Sequence, residues 1–129
     1  MSFQVYLQIF HGGMPAGISL PSIRAAFPGL LLELEEDYWQ LNYAPEESSD
    51  LFLQFLPGNE EQVHTISFDR LAKDMRLWNG IFRLLENDGA IFHFPGMEAP
   101  LARAEVSSDL GKPVIVLGAM EIVRLVGAT

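Results

Sequence analysis

The chain opens on a run of apolar positions broken by spaced polar ones, FQVYLQIF at 3–10, whose aromatic and β-branched residues predict a mostly buried strand. The next seven residues, His11-Gly12-Gly13-Met14-Pro15-Ala16-Gly17, hold three glycines and a proline and predict a loop. Ser19 then fits a helix N-cap, with Pro21 in the first turn and Ile23, Ala26 and Phe27 on an apolar face; Pro28-Gly29 stops a short helix over 20–27. From Leu30 to Tyr43 two periods compete. Leu30, Leu31, Leu32 and Leu34 suit an extended helix, whereas Tyr38, Trp39, Leu41 and Tyr43 alternate as in a strand, and a strand is assigned to 38–43. A turn over 44–50, a strand over 51–56, a turn over 57–62 and a strand over 63–68 complete an antiparallel meander. Strict alternation in the last of these puts Val63, Thr65 and Ser67 on one side and His64, Ile66 and Phe68 on the other.

The strongest helical period runs over 69–87, with Asp69 as cap, an apolar face of Leu71, Met75, Trp78, Ile81, Phe82 and Leu85, and Asn87-Asp88-Gly89 as the stop. A strand over 90–94, a short helical turn near 103–110, a strand over 113–117 and a helix over 121–126 follow. This order predicts a single α+β domain over 1–129. Its mostly antiparallel sheet is expected to be covered by one long and one or two short helices, a two-layer sandwich. With 11% aromatic residues, an open sheet face or edge also predicts self-association as a homodimer.

Charge changes this picture most. Eight Lys and Arg against seventeen Asp and Glu give a net charge of −9, which disfavours nucleic acid and anionic membranes as partners. Between Arg24 and Arg70 there is no Lys or Arg, but Glu33, Glu35, Glu36, Asp37, Glu46, Glu47, Asp50, Glu60, Glu61 and Asp69 all fall there. Such a segment is either a solvated face or a docking surface for a basic protein. Residues 1–10 carry no Lys or Arg, and the apolar stretch 113–120 is too short for a bilayer, so the expected location is the cytoplasm. The absence of cysteine excludes disulfides, thiolate nucleophiles and Cys-type metal sites.

Catalytic motifs do not assemble. The His-Gly-Gly loop lacks the Gly-x-Ser-x-Gly elbow that accompanies such loops in serine esterases, and it matches neither phosphate-binding glycine pattern. His64 and His93 have no second ligand at metal spacing, and strand parity separates His64 from Ser67. The adjacent glutamates at 35–36, 46–47 and 60–61 sit in turns, where nothing drives their pKa values apart. Lys73, Arg76 and Arg83 share a stripe with Gly80 on the long helix, suited either to pairing with the acidic segment or to a small basic groove.

No family resemblance emerges from these residues, no cofactor, metal or catalytic residue is expected, and enzymatic activity is disfavoured. The leading reading is a small soluble binding protein that engages a basic protein through Glu35, Glu36, Asp37, Glu46, Glu47 and Asp50, with Trp39 and Tyr43 as aromatic anchors. Inhibition of a toxin, in the manner of immunity proteins, is one concrete form of it. The alternatives are a small-molecule or anion binder, or an enzyme, using His11, Gly12, Gly13, Arg24 and His93, with an anion at the Ser19 helix start, and a structural homodimer subunit.

Overall fold

The computed structural model of the protein describes residues 4–127, so Phe3, the first residue of the expected opening strand, lies outside them. The described elements run β1 (Val5–His11), β2 (Met14–Pro15), β3 (Ile18–Ser19), α1 (Leu20–Ala26), β4 (Leu31–Glu33), β5 (Tyr38–Ala44), β6 (Glu47–Leu56), β7 (Asn59–Asp69), α2 (Met75–Leu84), β8 (Ala90–His93), β9 (Leu101–Ala102), β10 (Val114–Ile115) and α3 (Ala119–Gly127). The fold is α+β. One sheet of order β10-β9-β8-β1-β7-β6-β5-β4 dominates it, with β2 paired to β1 and β3 to β7. Every pairing among the described strands is antiparallel except β9 with β10.

Alternation divides the sheet chemically. Val5, Leu7, Leu51, Leu53, Ile66, Phe68, Trp39 and Leu41 are buried, and they join Ile23, Leu77, Trp78, Ile81 and Ile122 of the three helices in one apolar cluster. The residues between them point the other way. In register across the strands, Tyr38 faces Phe52, Phe52 faces Ser67, Ser67 faces Tyr6 and Tyr6 faces His93, a row of aromatic and polar side chains.

Several expectations change in the folded chain. HGGMPAG does not run loosely into the helix: Gly12 and Gly13, at φ 59° and 80°, make a two-residue turn that pairs His11 with Met14 and folds the chain back on β1. The expected turn over 44–50 shrinks to its first residues, because β6 already begins at Glu47. β7 skips a residue between the Gln54–Thr65 and Phe55–Val63 pairs, a bulge that returns Val63 to the core and takes His64 off the Ile66–Phe68 side. The helix expected over 69–87 is ten residues long and scarcely exceeds α3. Asp69 stays in the strand opposite Asp50, Arg70 turns at φ 56°, and Asp74 is the cap, accepting a bond from the Arg76 N–H. The stretch 103–110 forms no helix, and the strand expected over 113–117 is reduced to Val114–Ile115.

Gly80 sets the spacing of α1 and α2. A Cβ there would overlap the Phe27 ring, so the two helices approach as closely as they do only because this position has no side chain. That places Gly80 inside the core, beside but not lining a groove formed by Phe27, Arg76, Asn79 and Arg83.

Candidate protein-binding surface

The tight turn between β4 and β5 carries Glu35, Glu36 and Asp37, all exposed. Its backbone is closed by Leu34 and Glu35 N–H groups donating to the Tyr38 carbonyl, and it is tied to the next strand by the Leu53 N–H donating to the Asp37 carbonyl at 2.8 Å. β6 continues past this point and turns back at Pro57-Gly58, where Asn59 accepts from the Glu61 N–H. Glu60 and Glu61 therefore share an end of the sheet with Glu35, Glu36 and Asp37. Among the described residues none of these five carboxylates enters an ion pair.

Beside them lies apolar surface. Tyr38 and Phe52 stack with ring centroids 5.1 Å apart, and Phe52 remains 42% exposed. Leu32, opposite Gln40, falls on the same face, and it and Leu34 are about half exposed, at 48% and 46%. The stack is held from below by a polar chain. Gln40 donates to the Tyr38 hydroxyl, which donates to Asp50 Oδ1 at 2.7 Å, and the Arg70 guanidinium grips both Asp50 oxygens at 2.7 and 2.8 Å. Arg70 holds the Asp50 carboxyl below its ordinary range, and the hydrogen bond to Asp50 pushes the Tyr38 hydroxyl above its own.

The residues singled out in the sequence divide. Glu35, Glu36 and Asp37 belong to this surface. Glu46 and Glu47 are exposed but lie at the far end of β5, seven residues or ~20 Å away. Asp50 is buried and neutralised by Arg70, and Glu33 is held by Arg24 at 2.9 and 3.0 Å, so neither adds to the open field.

Trp39 and Tyr43 are not anchors. Both point into the core, where Tyr43 donates to Ser49 and burial pushes its hydroxyl up to about 12. The exposed aromatic pair is one residue out of phase with them. Phe52 shares its parity with Asp50 and Gln54, and that polar alternation was the available signal.

The second residue set does not converge. His11 bonds the Asp88 carbonyl at the end of β1, Gly12 and Gly13 form the adjoining turn, and Arg24 is occupied by Glu33. His93 lies opposite Tyr6, ~16 Å back along the same strand. There it bonds Gln8 at 2.7 Å beside a 280 Å³ pocket, and burial lowers its pKa. Ser19 spends its hydroxyl on Ser22 at the start of a seven-residue helix.

The basic stripe does not form on one helix: Lys73 lies exposed before α2, and the two arginines are occupied. Arg76 pairs with Asp74 and bonds the Tyr43 carbonyl, and Arg83 bonds the Ala25 carbonyl. His64 bonds the Ala16 carbonyl and packs edge-on to Phe10. Among the described residues no group of three His, Asp or Glu could hold a metal ion, and no helix is long and apolar enough to cross a membrane. Comparison with known proteins finds no matching family model, curated protein or solved structure.

Proposed function

We propose that the protein is a binding module of the cytoplasm that captures a basic protein. In this reading it is a two-layer sandwich, with helices backing one face of the sheet and the other face meeting the partner. The observation that carries the reading is five exposed, unpaired carboxylates at one end of the sheet: Glu35, Glu36 and Asp37 beside the Tyr38–Phe52 stack, and Glu60 and Glu61 on β7, two strands over and two to three residues farther along. Unpaired charge accelerates and steers encounter, while a desolvated aromatic side chain supplies the anchor. The partner's matching surface carries Lys or Arg around an apolar pocket that accepts Phe52. A cationic toxin or effector held inactive by this contact is one form such a partner takes.

The test is affinity capture from the native host's lysate with three baits: the wild type, a variant with Glu35, Glu36, Glu60 and Glu61 changed to Gln and Asp37 to Asn, and a control with Glu46 and Glu47 changed to Gln. The expected result is one or more basic proteins held by the wild type and the control, released at high salt and absent from the five-site variant. The same proteins retained by all three baits would overturn the reading.

A further inference from the structure

The opposite edge of the sheet carries a separate surface. Five of the nine large apolar side chains exposed among the described residues cluster there: Leu110, Val114, Ile115, Leu117 and Met120, with Leu117 at 85% and Met120 at 66% exposure. β10 is the outermost strand. The Val114 and Val116 N–H groups donate inward to the Pro100 and Ala102 carbonyls at 2.8 Å, so by alternation the N–H and C=O of Ile115 face outward.

We infer that this edge is a homodimer interface in which two copies pair β10 antiparallel about a two-fold axis through Ile115. An isologous contact must be self-complementary, and this segment is so in three respects. The two Ile115 residues exchange both of their free backbone hydrogen bonds. In that register Val114 falls opposite the partner's Val116 and Leu117 opposite the partner's Pro113, so apolar side chains meet on both sides of the axis. The charges also match, because residue 112 of one copy falls opposite residue 118 of the other. Lys112 is exposed and enters no ion pair among the described residues. Glu121 is fixed at that end by the Leu117 N–H, which donates to its Oε1, and its Oε2 lies 3.9 Å from Arg124 of the same chain. Each Lys112 thus meets the partner's Glu121.

A second copy suits this edge better than a foreign strand because the net −9 of each chain is concentrated toward β4, at the far side of the sheet. Pairing through β10 holds those fields apart and leaves both acidic surfaces free, so the inference stands independently of the proposed partner.

The cysteine-free chain permits a direct test. In a hydrogen-bonded antiparallel pair the two Cα atoms at position 115 would lie ~5.5 Å apart, within disulfide reach. Ile115→Cys should form a covalent dimer under mild oxidation, whereas Leu32→Cys on the opposite edge should stay monomeric.

Sedimentation velocity should find the wild type dimeric at about 100 µM and Leu117→Glu monomeric with its circular dichroism unchanged. Lys112→Glu should weaken the dimer about tenfold, and Lys112→Glu with Glu121→Lys should recover it. A wild type that is monomeric at that concentration, or a dimer that none of these substitutions alters, overturns the inference.

Discussion

At the scale of single residues, the Tyr38–Phe52 surface depends on one carboxylate beneath it. Asp50 receives the Tyr38 hydroxyl and both arms of the Arg70 fork, so it fixes the ring on which Phe52 rests. Its pKa in the folded chain is depressed by Arg70. The stability it contributes is therefore complete above the unfolded value of about 4 and is lost as pH falls through the folded value. Asp50→Asn should cost about 1 kcal/mol at neutral pH, a figure kept small because Arg70 is half exposed, and the difference from wild type should shrink as pH falls toward the depressed folded value; urea unfolding at pH 7 and pH 3 measures the decrease.

Phe52→Ala should cost about 1 kcal/mol of stability through the lost stack on Tyr38 and, in the proposed reading, weaken partner binding by about 1 to 2 kcal/mol in calorimetry, since 42% of the ring is exposed before binding. His93 follows the same sign rule as Asp50: burial depresses its pKa, and its stabilising share disappears as pH falls below ~6.5. An imidazole titration by NMR should therefore place the His93 midpoint below that of a free histidine.

At the scale of elements, the closest helix contact rests on an absent side chain. Gly80→Ala gains about 1 kcal/mol of helix propensity but drives a methyl into Phe27, so a net loss of about 1 to 3 kcal/mol is expected. Chemical denaturation should also find that Phe27→Leu costs less in the Gly80→Ala background than in the wild type, because the clash is then relieved.

Much of the element pattern was legible. Ser19 caps α1 as its position before Pro21 indicates, and the period-two run from Tyr38 forms β5 in keeping with its alternation. What misled was competition between equivalent local signals. Asp69 and Asp74 are both good caps, and only the cross-strand pairing of Asp69 with Asp50 decides for the later one. The bulge at His64 left no local mark, yet it changed which side chains enter the core. Trp39 and Tyr43 stood out as aromatics near acids, whereas the exposed ring, Phe52, was marked only by its parity with Asp50 and Gln54.

At the scale of the molecule, the acidic segment is divided rather than continuous. Arg24 and Arg70 neutralise Glu33 and Asp50, Glu46 and Glu47 lie at one end of β5, Glu35, Glu36 and Asp37 at the other, and Glu60 and Glu61 beyond that end on β7. The two ends of the strand therefore differ in function in the proposed reading, a contrast that total charge does not reveal. The apolar edge at β10 lies across the sheet from that surface, so the inferred self-pairing and the proposed partner capture use separate surfaces.

The most direct measurement is the association rate of the captured basic protein with the wild type and with the five-site neutralised variant at low and high salt. The predicted result is a wild-type rate that falls about tenfold or more as salt rises and a variant rate that starts low and barely changes. Equal rates with equal salt dependence would contradict recognition through Glu35, Glu36, Asp37, Glu60 and Glu61.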